Sequence, residues 1–514
     1  MKVSIEHFYS NGSTIGHPPQ VEASKAGVEH FFSFFCPEDD DSNPLSVTVL
    51  PFLLFRSPRQ TASVAATSFR RKMRHHFCLL LLLFHLPSFA SSFATHEHIY
   101  IGSTVQLTLP GLNGTKKGNE TLLHFPNGNV WVTFADVVGL GGDFYGFPTA
   151  AISDATGADN QRIAFNNSFN TLFWDRDKPV KKDPGYAPSS QYNYQSHQYI
   201  AGPEITLGEQ IAKVRAAGLQ PSQAYANCGG ALDERRNVVS GGGSLVSDWI
   251  PFGRFIKLAE TNWDHFSFGG RAWAAYAAGH SLAIQKAQEA YAALPSSVAA
   301  SMDLVLYEDL VLYAYALEAF ALHFLTDAFS SGHMRTPRKK FVQVCTPEDI
   351  GSYLSRYQHD EECKYGLNVT NNKGSEWRAY GDKKYLDDVN AQSRVICEAC
   401  VQSSVDEIAT VLKQGTWANM TNGAIDPVSF AAADCIPFPV KNEDDNITPL
   451  FKWDGTDLLR RYDVNDLWGK KFKKHGGLEG WWSTTTLVEL ETVYGPPSDL
   501  PPFPNRSRLE VASR

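Results

Sequence analysis

Between residues 298 and 338 an apolar helix runs into a tight set of metal-binding residue types, and no other feature constrains the fold as much. Met302, Leu306, Leu310, Tyr313, Leu317, Phe320 and Phe324 recur at three- and four-residue steps, the period of an α-helix. Leu304, Val305, Leu312, Ala316 and Ala319 widen that stripe. A helix apolar over so much of its circumference belongs inside a bundle. The run ends in His323-Phe324-Leu325-Thr326-Asp327-Ala328-Phe329-Ser330-Ser331-Gly332-His333-Met334-Arg335-Thr336-Pro337-Arg338. His323 and Asp327 are i and i+4 and share a helix face. The helix is predicted to end near Gly332, which leaves His333 beside the same face. Imidazoles plus a carboxylate are the donor set of catalytic zinc sites, and burying them is costly unless a cation satisfies them. The competing reading is a hydrogen-bonded core histidine with a solvent-facing aspartate. The added His333 and the apolar run count against it.

The neighbouring sequence extends the helical pattern. Ala272 to Ala293 is alanine-rich with few breakers, and Glu348 to Glu362 and Tyr385 to Gln414 continue it. Residues 93–255 are rich in glycine, asparagine and proline, so short elements are expected there, with one helix over 205–218. After 415 the chain turns proline- and aspartate-rich. The fold class is therefore mainly α, a multi-helix core with long loop insertions. The core spans 93–415 with an insertion at about 147–255, followed by a loop-rich C-terminal extension over 416–514. His280, on the alanine-rich segment, is expected to make an interhelical hydrogen bond. Composition excludes some classes: 43% apolar and 20% charged residues rule out wholesale disorder and a collagen-like fibre. A net charge of −9 rules out a nucleic-acid binder working by bulk electrostatics. No Walker lysine, strand-linked GxGxxG or GxSxG is present, which argues against nucleotide cradling and serine hydrolysis.

The N-terminus reads differently. Arg70-Arg71-Lys72-Met73-Arg74, the leucine run Leu79 to Leu83 and the small residues Ser88 to Ser92 have the layout of a secretory signal. Residues 73–92 are expected to be a signal peptide, with 1–72 an upstream extension without regular structure. The alternative is an internal signal-anchor. Secretion agrees with acceptor patterns for N-glycosylation at Asn113, Asn119, Asn166, Asn368, Asn419, Asn446 and Asn505. It also agrees with six cysteines beyond the leader, Cys228, Cys345, Cys363, Cys397, Cys400 and Cys435, which predict a glycoprotein with disulfides. Cys397-x-x-Cys400 has no second CxxC, which favours structural pairing over a zinc or redox motif.

The segment His323-Phe-x-x-Asp327-x5-His333 resembles the signature of the zinc-dependent phospholipases C, whose fold is shared by single-strand-specific nucleases. The resemblance implies an almost all-helical fold, a cluster of two or three zinc ions and an ordered set of ligands along the chain. Thr95-His96-Glu97-His98-Ile99 is similar to the family's Thr-His-x-x-Ile start; His96 matches best, and His98 competes. Asp143, in Gly141-Gly142-Asp143, stands where the family has its early Asp, and Asp264-His265-Phe266 supplies His265. His323, Asp327 and His333 follow, then His359. The family's last carboxylate sits four residues after that histidine, but residue 363 is cysteine, so Glu362 is the expected substitute. The resemblance is strong over roughly 260–365, thin over 93–146 and absent elsewhere.

The same resemblance implies a phosphodiester hydrolase in which Asp143 serves as ligand and proton acceptor. Arg335 and Arg338 follow the metal segment as phosphate clamps, with surface solvation an equal alternative. The implied activity is phospholipase C-like cleavage of phospholipid head groups, with peripheral membrane contact. The alternatives are a single-strand nuclease-like phosphodiesterase or a secreted metal-binding protein without catalysis.

Overall fold

In the computed structural model, the described residues are 94–109, 114–125, 128–173, 196–242, 253–294, 301–345, 348–417, 420–421, 424–474 and 490. The expected upstream extension and signal peptide lie outside them. The chain divides into units 1–61 and 62–514, and every described residue belongs to the second. Along it run α1 (Thr95–Thr104), β1 (Gln106–Leu109), β2 (Gly114–Lys117), β3 (Leu122–Phe125), β4 (Gly128–Thr133), α2 (Phe134–Leu140) and α3 (Ala158–Phe169). Next come α4 (Ser196–Ala216), α5 (Ser222–Val239), α6 (Arg254–Thr261), α7 (Arg271–Ala292), α8 (Ser301–Asp327), α9 (Ser331–Arg335), α10 (Arg338–Val344) and α11 (Glu348–Tyr365). The chain continues through β5 (Leu367–Thr370), β6 (Glu376–Ala379), α12 (Ala391–Gln414), β7 (Met420–Thr421), β8 (Ala424–Ile425), α13 (Ala431–Cys435) and β9 (Phe438–Pro439). β10 (Phe451–Trp453), β11 (Leu458–Arg461) and β12 (Phe472–Lys474) close it. The mainly α reading holds.

Helix α8 is the axis of the bundle. Its leucine- and alanine-rich sequence packs along α7 and against α2 and α12. Val311, Ala314, Phe320, Leu322 and Leu325 are fully buried. The expected interhelical contact of His280 is formed: its ring lies between two carboxylates, Nδ1 2.6 Å from Glu318 and Nε2 3.3 Å from Glu407. Ser404 and Tyr276 complete that buried network.

Two expectations are corrected. The helix expected over 205–218 is present as part of the longer α4, which runs back through Pro203, and a second long helix, α5, stands where only short elements were expected. A buried bidentate pair of Arg236 with Glu204, at 2.7 and 2.9 Å, joins them. Tertiary packing of this kind overrides weak local propensity. The helix expected from Tyr385 begins at Ala391, after a short 3-10 turn at Asp388–Asn390. The part after 415 contributes a three-stranded antiparallel sheet, β10-β11-β12. Leu450, Phe451, Leu458 and Val464 form a second core with Phe341, Leu354 and Tyr357 of α10 and α11. Arg461 grips Glu361 of α11 at 2.7 and 3.0 Å, so the C-terminal part braces the helix that carries His359.

One disulfide, Cys400–Cys435, is formed among the described residues, and Cys397 is a buried free thiol. The CxxC is thus half of a structural bridge. Asn446 is buried, with its amide tied to the backbone of Asn368 in both directions, so it is not an accessible glycosylation acceptor in the fold. Asn119 is exposed. Among the described residues no helix is long and apolar enough to cross a membrane.

Candidate metal centre

Three groups of histidine and aspartate meet at the C-terminal end of α8. They are His98, His323 and Asp327; Asp143, His265 and His323; and His333, His359 and Asp382. All of these residues are buried, Asp382 being the most exposed at 7%. Asp327 is the hub. Its Oδ1 lies 3.4 Å from both His98 Nε2 and His333 Nδ1, and its Oδ2 lies 2.8 Å from His265 Nδ1 and 3.6 Å from His323 Nε2.

The rings are oriented by what their other nitrogens meet. His323 Nδ1 donates to the Val138 carbonyl at 2.9 Å, and His333 Nδ1 to the His265 carbonyl at 2.9 Å. His359 Nδ1 lies 2.8 Å from the Asp360 carboxylate. Thr326 Oγ1 spends its hydrogen on backbone carbonyls of its own helix, so it accepts from His98 Nδ1 at 2.6 Å. In all four the Nε2 is left facing the cluster. Metal-bound histidines are commonly held this way, by a second partner that fixes tautomer and ring plane. Burial lowers His323 to about 4 and lowers His265 and His333 as well, so these rings are neutral, the form that ligates. His333 Nε2 has no hydrogen-bond partner among the described residues. His359 behaves differently: burial works to lower it, but Cys363, Asp382 and Asp360 raise it well above its usual value. The three groups of buried imidazole and carboxylate donors could hold metal ions.

Local sequence explains the delivery of each group. The i,i+4 step on α8 puts His323 and Asp327 on one face. Asp264 accepts the backbone N–H groups of Ile152 and Ser153 at 2.6 and 2.9 Å, which pins the turn carrying His265. Gly142 has φ +81°, and a Cβ there would come within 2.5 Å of the His323 ring. Only glycine lets the loop bearing Asp143 come this close. Thr95 donates to Asp143 Oδ2 at 2.7 Å.

The expected ligands Asp143, His265, His323, Asp327, His333 and His359 are brought together. His96 is not. It lies against α4, where a Cβ on Gly208 would be 2.9 Å from its ring, and Glu204 is its charged neighbour. Two helical residues apart means about 200° of rotation, so only one of His96 and His98 can face α8, and it is His98. Glu362 is also displaced. It pairs with Arg335 at 2.9 Å and with Gln358, while burial pushes its carboxyl up to about 7 against the pull of Arg335. The carboxylate comes instead from Asp382, on the loop after β6, with Oδ2 3.0 Å from His359 Nε2. Cys363, four residues after His359, lies 3.5 Å from that same nitrogen but belongs to none of the three groups. Asp382 was missed in the sequence. Its one signal is that both loop aspartates follow a glycine, Gly142-Asp143 and Gly381-Asp382.

The two expected clamps part company with the cluster. Arg335 is held by Glu362 and the Ile447 carbonyl. Arg338 is buried, donates to the Ala259 carbonyl and lies 5.5 Å from the Phe266 ring centre. It lines a cavity of about 220 Å³ with Trp263, Phe268, Arg271, Lys339 and Lys340. The Phe266 ring, stacked on His333 at 4.6 Å, stands between this cavity and the cluster. Comparison with family models, with curated proteins and with solved structures finds no match for this chain.

Proposed function

We propose that the chain is a secreted zinc-dependent phosphodiester hydrolase, phospholipase C-like in its chemistry. One observation carries the reading: three ligand groups interlock around Asp327, and their order along the chain is the order the phospholipase C resemblance implies. Bound zinc would supply an activated water near neutral pH and would offset charge growing on phosphoryl oxygens. His323 has one nitrogen left facing the cluster and would serve one ion, so His98 and Asp327 would hold one ion, Asp143, His265 and His323 with Asp327 a second, and His333, His359 and Asp382 a third. The chain's own part is orientation. Val138, Thr326, the His265 carbonyl and Asp360 aim the rings, Gly142 admits the loop, and Asp143 is the carboxylate placed to take a proton. A narrow cleft of about 30 Å³, lined by Gly142, Tyr145, Phe147, Asn262, His265 and Phe324, reaches His265 and has room for about one water.

A second reading, action on single-stranded nucleic acid, draws on the cavity beside Phe266. Cationic Arg271, Arg338, Lys339 and Lys340 with Trp263 and Phe268 there suit a phosphate backbone and stacked bases. The test compares zinc-stripped and zinc-restored protein on phosphatidylcholine vesicles and on single-stranded DNA. Zinc-dependent release of phosphocholine supports the first reading, and zinc-dependent cleavage of DNA alone the second. Turnover of neither would favour a binding role without catalysis.

A further inference from the structure

Asp382 differs from every other candidate ligand on the C-terminal side of the site. His323 and Asp327 are fixed by α8, His333 by α9 and His359 by α11, whereas Asp382 lies on the loop between β6 and α12. A ligand on a loop needs something to fix it. The next residue, Lys383, has φ +68°, the only positive φ of a non-glycine among the described residues. A side chain in left-handed backbone is disfavoured by the contact of its Cβ with the carbonyl oxygen. That conformation persists where the surroundings over-determine it.

Glu97 supplies the restraint. It is fully buried, and its Oε2 accepts the Lys383 N–H at 3.0 Å while its Oε1 accepts the Tyr385 N–H at 2.9 Å. The same Oε2 accepts the Ala94 N–H at 3.1 Å, at the start of α1. One carboxylate thus ties the first turn of α1 to both sides of Lys383. Asp382 itself is steadied by Ser330, whose hydroxyl donates to Oδ1 at 2.7 Å. Its neighbour Gly381 is packed so closely that a Cβ would meet Cys363 Sγ at 2.2 Å. Glu97 is also adjacent to His98. Helix α1 therefore delivers a ligand to one end of the cluster and a backbone clamp to the other.

We propose that Glu97 is a positioning residue that sets the Asp382 carboxylate against His333 and His359, so that the third ligand group is complete only when α1 is docked. This rests on the reading of His333, His359 and Asp382 as one metal group. An amide at 97 has one acceptor oxygen and would turn its NH₂ toward backbone donors, so Glu97→Gln breaks the clamp at nearly constant size. Lys383→Val tests the same point without touching Glu97, because a β-branched side chain tolerates positive φ poorly, and Lys383→Gly removes the strain.

The experiment titrates metal-stripped full-length chain with Zn²⁺, counts tightly held ions per chain, and records the thermal transition of the metal-free form as a fold control. Asp382→Asn is the reference. The expected result is that Glu97→Gln and Lys383→Val match Asp382→Asn: one class of ion weakens roughly 10- to 100-fold, as for other residues that orient ligands, while the rest bind as in wild type. Lys383→Gly binds like wild type. The inference is overturned if Glu97→Gln keeps every ion at wild-type affinity. It is equally overturned if all ions weaken together with a lowered transition of the metal-free form, which marks a general structural role. A wild-type chain that takes up no zinc overturns the metal reading beneath it, a separate failure.

Discussion

Replacing Asp327 by asparagine has opposite consequences with and without metal. The carboxylate lies within 2.8 to 3.6 Å of nitrogens from four histidines on α1, α8, α9 and the turn before α7. Asparagine keeps the volume and one acceptor oxygen but removes the charge. A divalent ion held at 100 to 1,000 times its dissociation constant stabilises the fold by roughly 2.7–4.1 kcal/mol. Asp327 belongs to one ligand group and touches two histidines of a second, so weakening two ions forfeits about 5–8 kcal/mol by the same relation. The 332 described residues have an unfolding entropy of about 0.7 kcal/mol/K, which converts that loss to a fall of about 8–12 °C in Tm. Under chelation the sign changes. His265, His323 and His333 are lowered by burial, so in metal-free protein they are neutral, and the buried carboxylate charge carries a desolvation cost that asparagine avoids. Asp327→Asn then melts at or slightly above wild type. Scanning calorimetry of both proteins, in excess zinc and in excess chelator, makes the comparison. The reasoning fails if asparagine lowers Tm by the same amount in both conditions, because the carboxylate is then a structural hydrogen-bonding group.

Three further outcomes follow from the geometry. His98→Ala loses metal and activity while His96→Ala keeps both, as read by metal content and turnover; the reverse pattern would return the ligand role to His96. Gly142→Ala forces a side chain into the His323 ring and a left-handed backbone, so zinc affinity falls at least tenfold while the helical circular dichroism stays unchanged. His280, raised to about 9 by Glu318 and Glu407 against the effect of burial, contributes stability that is fully present below about pH 6.5, its ordinary value, and is lost as pH rises through 9. The loss is on the order of 3 kcal/mol by linkage. Chelated protein unfolded in urea across pH 6 to 10 shows this decline, and His280→Phe abolishes it.

The sequence was most informative where chemistry and helix period coincide. His323, Asp327 and His333 were legible because one apolar helix and its end place them together, and His265 and His359 only through the phospholipase C resemblance. His96 and His98 were not separable from pattern alone. Their choice depends on which face of α1 meets α8, which tertiary packing decides. Asp382 was invisible for a related reason: its proximity to His359 is set by the loop after β6 and by Glu97, 285 positions earlier in the numbering, and no local period records that contact. The body of α4 was legible as the helix expected over 205–218, but its start before Pro203 and the whole of α5, with its Gly229-Gly230 pair, were not, since composition registers breakers but not the buried Arg236–Glu204 pair that compensates for them. The strands after 450 likewise gain their order from packing on α10 and α11.

The central claim is that three histidine–aspartate groups form one multinuclear metal centre. The direct measurement is the number and identity of metal ions bound per chain after zinc loading and extensive dialysis, by mass spectrometry of the metal content. The account predicts zinc approaching one ion for each of the three groups, reduced in Asp327→Asn. A dialysed wild-type chain that retains no divalent metal would contradict it.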